Sequence, residues 1–256
     1  MVTASAAVAD QGGIGFWLPG QYGSFVAVAP SPGWLLPNLY YHYTGSAGSD
    51  HPLPRGYFLA TGLNGSFDGL LVVPTYTFDT TILGARPSFS MAFMPAYSSS
   101  SADIRIGPLS GSRSVSAFGV GDLYPAMKLY WTADVHNFMV YATGDISTGD
   151  YSADRLSNIG IGHGAIDGGG AYTYLNTKSG TEASATLEFT ENFENAATHY
   201  TNGVDAHLDL GASQFLSKNF FGGIVGFYYQ QLTADKGQPA SLYLLNPRVG
   251  KPANGR

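Results

Sequence analysis

The chain has 256 residues, no cysteine and a net charge of −6 at pH 7, and only 12% of its residues are charged. That charged share is about half of what soluble globular proteins carry, whereas Gly, Tyr and Phe are abundant. The acidic balance argues against a nucleic-acid partner, and the missing thiols exclude disulfide bridges and thiolate metal sites.

No apolar run approaches the ~18 residues that a membrane-spanning helix needs, because Pro, Gly or polar residues interrupt every one. A chain of this kind that crosses a membrane must cross it as strands, with its backbone groups paired to each other in a closed barrel. Barrels of this length are commonly single domains, so one domain is expected.

The N-terminus contains Ala7-Val8-Ala9, a small-residue pattern like the one that precedes a signal-peptidase cut. We interpret residues 1–9 as the remnant of a signal peptide, which would be cleaved before Asp10. The alternative is an Ala-rich disordered start.

Residues 10–33 precede the first predicted strand and are too apolar for a free tail. They carry Phe16, Trp17 and Tyr22 among glycines and prolines. We predict that this segment folds into the mouth or lumen of a barrel as a plug. These three aromatic side chains are then the first candidates for contact with hydrophobic cargo.

Short stretches of strict two-residue alternation follow, and they predict strands in residues 34–249. In Pro87–Tyr97 the large apolar and aromatic residues fall on one face, and mainly small residues, serines among them, fall on the other. Val204–Leu210 alternates apolar with charged or titratable residues in the same way. A barrel in lipid needs such two-faced strands, with hydrophobic side chains facing outward and polar ones facing the lumen, which is the reverse of a soluble barrel.

The predicted strands are separated by turn-rich segments that alternate between long and short, as in outer-membrane barrels. The longer connections are predicted at 45–55, 98–113, 145–157, 191–202 and 232–241. The predicted strands are Leu35–Thr44, Tyr57–Phe78, Arg86–Tyr97, Leu123–Thr132, Phe138–Gly144, Ile159–Leu175, Glu182–Thr190, Val204–Gly211 and Phe220–Gln231, with a possible tenth at Leu242–Val249.

Two places in this pattern have competing interpretations. Asn64-Gly65 is a hairpin signal by itself, but a turn there would break the alternation of loop lengths, so one continuous strand is favoured. Glycines throughout the first part of 159–175 weaken a strand, and part of that run is an alternative loop.

Asp205, His207 and Asp209 point the same way from one predicted strand. They form either a polar lumen wall, the simpler interpretation, or a cation or proton-relay site. We expect a lumen wall that contacts ligand, and neither a metal nor a cofactor.

Four acidic residues surround the strand before it: Glu182, Glu188, Glu191 and Glu194. Glu188 alternates with Leu187 and Phe189 and is expected to face the lumen, while the others are expected to be solvated at strand ends. A paired-carboxylate active site is the weaker alternative.

Aromatic residues near the predicted strand ends suit a bilayer interface because Tyr and Trp combine an apolar body with a polar tip. The alternative is a soluble β core. The candidates for such an aromatic girdle are Trp34, Tyr40, Tyr41, Tyr43, Tyr97, Tyr124, Tyr130, Trp131, Tyr228 and Tyr229.

Several motifs, in order and at consistent spacing from about residue 12 to 237, resemble a bacterial family of outer-membrane proteins named for the meta-pathway of phenol degradation. The motifs are Gly15–Phe25, Pro32-Gly33-Trp34, Tyr40-Tyr41-His42, Gly119–Pro125, Gly149-Asp150-Tyr151, Thr198–Gly203 and Gly226–Leu232.

The resemblance implies an all-β, antiparallel up-and-down transmembrane β-barrel of about twelve strands, of which nine or ten are visible here. It also implies passage of aromatic or other hydrophobic compounds across the bacterial outer membrane. Family members are expected to finish on an aromatic-bearing strand, whereas residues 250–256 form a polar tail. The closing strands are therefore expected to be missing or diverged.

The leading functional prediction is a non-enzymatic channel for passive movement of small hydrophobic or aromatic molecules, with membrane lipid as its surroundings. Protein partners are not indicated. Two alternatives remain: an outer-membrane enzyme acting on lipid or aromatic esters, and a soluble secreted or periplasmic β-sandwich that binds a ligand.

Overall fold

The computed structural model describes residues 16–53, 57–106 and 109–237, which form one antiparallel sheet of eleven strands. No helix long and apolar enough to cross a membrane occurs in those residues. The strands are β1 (Gly33–Leu35), β2 (Asn38–Leu53), β3 (Tyr57–Val72), β4 (Thr75–Thr77), β5 (Arg86–Ile106), β6 (Leu109–Ala133), β7 (His136–Asp145), β8 (Ala165–Asn176), β9 (Thr181–Asn192), β10 (Asp205–Ser217) and β11 (Phe220–Gln231).

Prolines divide the first two predicted strands. Pro37 separates β1 from β2, and Pro74 separates β3 from β4, since proline has no N–H to donate to a ladder. Both β3 and β4 pair with β5, and from there each strand pairs with the next as far as β11. Within the described ranges β11 does not pair with β1 or β2, and the sheet forms a half-barrel.

The two faces of the sheet are inverted relative to a soluble protein. On β9, Leu187 and Phe189 are 50% and 47% exposed on the outer face, whereas Glu188 between them is fully buried on the inner face. On β5 the pattern repeats, with Phe89 exposed and Ser88 and Ser90 buried. The predicted outward direction of the hydrophobic side chains is therefore confirmed, and the single sheet of the described residues is a half-barrel rather than the alternative β-sandwich.

Two hairpins are longer than the sequence indicated. Residues 45–55 and 98–113 were expected as long loops, but β2 extends to Leu53 and β5 to Ile106, each paired with the following strand. Small Ser, Gly and Ala residues continue the pairing there without the hydrophobic alternation from which strand ends were predicted. The continuous strand through Asn64-Gly65 is confirmed.

The expected strand at 159–175 begins only at Ala165, because the glycine-rich residues before it belong to a loop that spans 146–164. Residues 1–9, the possible strand Leu242–Val249 and the tail 250–256 lie outside the described residues.

The expected aromatic girdle is only partly correct. Trp34, Tyr40, Tyr97 and Tyr228 are exposed on the outer face, and Trp131 lies on the same face, where its Nε1 donates to the carbonyl of Leu83. Five others lie on the inner face, because strand alternation places them there: Tyr41, Tyr43, Tyr124, Tyr130 and Tyr229.

Two stretches without strands fold against the inner face. The N-terminal segment, residues 16–32, buries Leu18 and Ala27, and the 146–164 loop buries Ile159. Leu18 and Ile159 share one apolar cluster with Phe67 and Met94 of the sheet. The core of the described chain therefore lies inside the half-barrel, between the sheet and these two segments.

We expect Leu187→Arg on the outer face to destabilise the inserted protein by about 2–4 kcal/mol, because a cation there is held against hydrocarbon. Leu83→Arg is the matched control, since Leu83 lies in the turn between β4 and β5 and is 89% exposed. The measurement is reversible folding into lipid vesicles, titrated with urea. Equal effects of the two substitutions would contradict a lipid-facing position for Leu187.

Candidate functional site

The carboxylate of Asp209 holds the first turn of the N-terminal segment. Asp209 is fully buried on β10, and its Oδ1 and Oδ2 accept hydrogen bonds from the backbone N–H of Gly20 at 3.3 Å and of Tyr22 at 2.9 Å. Amides in a strandless segment need acceptors when they leave water, and a carboxylate is a strong one. One side chain thus fixes two backbone amides of the segment onto the wall.

Neighbouring strands hold the rest of the segment in the same way. The N–H of Phe25 donates to Glu182 Oε1 at 3.0 Å and to Ser184 Oγ at 3.1 Å. The N–H of Ala27 donates to Thr173 Oγ1 at 3.1 Å. The segment therefore crosses β10, β9 and β8 with its amides directed at their inward polar side chains.

The close approach of the segment to β10 requires a glycine at Gly211. A Cβ built there would lie 2.7 Å from the backbone nitrogen of Ser24 and 3.0 Å from the carbonyl carbon of Gly23. Any larger residue would push the segment away from the wall.

The aromatic side chains of the segment contact rings of the wall. Phe16 lies 5.6 Å from Tyr124 between ring centroids, and Trp17 lies 4.6 Å from His207. Tyr22 packs 4.9 Å from Tyr141. The same three side chains also line a cavity.

That cavity lies between the segment, strands β3 to β8 and the 146–164 loop, with about 860 Å³ of space that is partly open to solvent. Phe16, Trp17 and Tyr22 line it from the segment. The sheet and loop contribute mainly apolar side chains with a few polar ones: Phe67, Leu71, Val73, Ser90, Ala92, Met94, Tyr124, Ala126, Lys128, Thr143, Ile159, Ile161 and Asp167.

Asp122 of β6 holds the loop that closes this cavity. The carboxylate is fully buried and accepts hydrogen bonds from the N–H of Gly149 at 2.6 Å and of Ile161 at 2.9 Å. Ser157 adds a hydrogen bond to Ser98 at 2.7 Å. The result is that Ile159 and Ile161 are placed in the cavity wall.

A buried polar network lies beside the cavity. His207 Nδ1 lies 3.1 Å from Glu188 Oε2, and its Nε2 lies 2.9 Å from Thr190 Oγ1, which bonds Asp167 at 2.8 Å. Tyr141 donates to the same Asp167 at 2.5 Å. The network joins four strands, β7 to β10, through their inward side chains.

Asp167, Glu188 and His207 are the residues that could hold a metal, since one ligand atom from each lies within 4.8 Å of the others. Within the described chain, Glu188 Oε1 is the carboxylate oxygen of this group with no hydrogen bond. The remaining ligand atoms are engaged inside the network, so the cluster by itself assigns no ion.

Burial shifts the pKa of a tyrosine in the N-terminal segment, and an ion pair shifts the pKa of a carboxyl group in the 146–164 loop. Burial, together with the negative charges of Glu188 and Asp167, raises the pKa of the Tyr22 hydroxyl, which stays neutral at physiological pH. In the 146–164 loop, Arg155 donates two hydrogen bonds of 2.7 Å to Asp150 and lowers the pKa of that carboxyl.

The structure separates the six predicted site residues into two groups. Phe16, Trp17 and Tyr22 line the cavity. Asp209 and His207 lie beneath the segment, and Asp205 bonds Tyr229 and Asn192 at the end of β10. Contact of any of the six with a ligand stays a prediction.

Sequence reasoning missed three charged residues of the site: the buried Asp122 and Glu182 and the half-buried Lys128. Glu182 was expected to be solvated, but it is 1% exposed and hydrogen-bonded to Phe25, because β9 continues its alternation to the strand end. A signal for it was present: polar residues occupy every second position from Glu182 to Asn192.

We expect Asp209→Asn to loosen the N-terminal segment, because the amide group offers one acceptor where the carboxylate offers two charged ones. A loss of about 1.4 kcal/mol corresponds to about tenfold more frequent opening. The measurement is maleimide labelling of Leu18→Cys, since Leu18 is buried and the chain has no other thiol.

Asp205→Asn is the matched control on the same strand, because among the described residues the side chain of Asp205 bonds Tyr229 and Asn192 rather than the segment. Equal labelling rates in the two Asn variants would show that Asp209 does not hold the segment.

Comparisons with known proteins agree with this architecture. No curated protein matches the chain by sequence. Among solved structures, the fold is similar to the crystal structure of an outer membrane channel from Pseudomonas putida F1, with a TM-score of 0.50, 14% sequence identity, and coverage of 84% of this chain and 78% of that one. A family model matches residues 54–248, more than half of the chain, so the chain belongs to the family described as "Putative MetA-pathway of phenol degradation".

Proposed function

We propose that this protein is an outer-membrane channel through which small hydrophobic molecules, aromatic ones included, move passively. The observation that carries the proposal is the largely apolar cavity on the inner face of a half-barrel whose outer face is greasy. The fold's similarity to an outer membrane channel and the family's description both support it.

The outer face supports a position in lipid. Leu187, Phe189, Val140 and Ile166 expose about half of their surface on neighbouring central strands, where a protein in water would bury such side chains. Contiguous exposed apolar surface of this kind marks contact with a membrane or a partner. We propose that acyl chains cover it.

The cavity supports a hydrophobic cargo. Ligand sites of this type are lined mostly by apolar and aromatic side chains, with a few polar groups that orient the ligand. Phe16, Phe67, Leu71 and Met94 give the apolar surface here, and Gln21 and Thr143 are among the polar groups. Aromatic stacking against such walls binds flat molecules without strict selectivity.

We further propose that residues 16–32 act as a plug that narrows the route. Five of the lining residues belong to this segment: Phe16, Trp17, Leu18, Gln21 and Tyr22. Cargo that moves along the inner face must pass them, so passage, rather than chemical turnover, is the activity that the arrangement favours.

We expect Ala126→Trp to reduce passage several-fold, because the indole would fill the cavity that Ala126 lines. Met127→Trp is the matched control, since the next residue of β6 points outward and is 50% exposed. The measurement is entry of the hydrophobic fluorescent dye N-phenyl-1-naphthylamine into cells whose outer membrane contains each variant, with membrane insertion verified by heat-dependent gel mobility. Equal entry for both variants, or no gain over cells without the protein, would refute the proposal.

Replacing residues 16–32 by a Gly/Ser linker of equal length is expected to raise the conductance of the protein in planar bilayers. The linker removes the Phe16, Trp17 and Tyr22 side chains from the route while keeping the chain continuous. The control is the unaltered protein, which keeps the same 146–164 loop. The folding of both proteins is verified in the same gel assay. Unchanged conductance would contradict the plug.

A further inference from the structure

Lys128 is a cation in the lining of a largely apolar cavity. It lies on the inner face of β6, paired in register with Ser88 of β5 and Tyr141 of β7. Its Nζ lies 4.6 Å from the centre of the Tyr22 ring. The side chain lines the cavity together with Leu71, Met94 and other members of the apolar cluster.

No carboxylate of the described residues forms an ion pair with this cation. Nζ of Lys128 lies instead over the face of the Tyr22 ring. Asp167 lines the same cavity, but its two oxygens accept hydrogen bonds from Tyr141 and Thr190. Glu188 contacts His207 through Oε2, while its Oε1 has no hydrogen bond within the described chain and its negative charge acts on Lys128 at longer range.

A charge that is partly removed from water is costly unless an opposite charge or hydrogen bonds offset the loss of water. The negative face of the Tyr22 ring and the charge of Glu188 offset part of that cost for the half-buried Lys128. An anion in the cavity would offset the rest. The apolar walls restrict which anions fit, because a strongly hydrated inorganic ion gains nothing from Phe67, Leu71 or Met94.

We propose that Lys128 binds the anionic group of an amphipathic cargo, and that the preferred class is the small aromatic carboxylates, of which benzoate is the simplest. This inference rests on the proposed channel function and names its substrate class. The ring of the ligand occupies the space between Phe16 and the apolar cluster, and the carboxylate meets the ammonium group. Gln21, which lines the same cavity, supplies a further hydrogen-bond donor.

The arrangement discriminates against neutral analogues of equal shape. Benzamide presents the same ring with an uncharged amide, so it makes the same apolar contacts and a weaker bond to Lys128. A charge-assisted hydrogen bond is roughly twice as strong as a neutral one, which corresponds to about a tenfold preference for benzoate at a partly hydrated site.

The test is calorimetric titration of the refolded full chain in detergent with benzoate and, separately, with benzamide. The wild type is expected to bind benzoate about tenfold more tightly than benzamide. Lys128→Met is expected to bind both equally, at the wild-type benzamide level, and Lys128→Arg to retain the preference. Lys178→Met is the matched control, because Lys178 is an exposed residue in the turn between β8 and β9.

Each outcome decides a separate point. A benzoate preference that persists in Lys128→Met, or a wild type that binds both ligands equally, overturns the role of Lys128 while leaving passage of hydrophobic molecules intact. If the wild type binds neither ligand, the proposed cavity function fails as well. Should Lys128→Met not fold, Lys128→Gln keeps the comparison, since it removes the charge but retains a polar end.

Discussion

The structure depends on backbone amides finding acceptors inside the half-barrel. Segments without strand pairing cannot enter a lumen unless their N–H groups are satisfied there. Asp209 and Glu182 meet this need for residues 16–32, and Asp122 meets it for the 146–164 loop. Each of these carboxylates is almost completely buried, and each accepts at least one backbone amide. The inner wall is polar because its side chains accept hydrogen bonds from these segments. The outer wall has no such segment to bind, and its side chains are apolar.

The cavity is a consequence of that arrangement. The two inserted segments meet the sheet along its polar strands, β8 to β10 for one and β6 for the other, and they leave space over β3 to β7. The side chains that face this space are mostly apolar, and the polar ones include Ser90, Lys128 and Asp167. We propose Lys128 as the side chain that would make the route select on charge.

Alternation in the sequence predicted the strands, their faces and the inversion of the sheet, since a strand side chain has only two directions. Phe189 and Glu188 were therefore assigned to opposite faces correctly. The same rule would have placed Tyr130 and Tyr124 inside, but they were grouped by residue type as interface aromatics. The ends of β2 and β5 were missed because Ser and Gly residues carry no hydrophobic signal, although their backbones pair as well as any.

By itself, the sequence determined the all-β class, the outward direction of the apolar side chains and the family, since these follow from local period and motif order. Only the tertiary structure decided which carboxylates hold the N-terminal segment, that Asp209 and His207 lie beneath it, and that Lys128 shares a cavity with Tyr22. The physical reason is separation along the chain: the hydrogen bond from Tyr22 to Asp209 joins residues 187 positions apart. No local pattern encodes such a contact, because it depends on how strands far apart in sequence curve around a common interior.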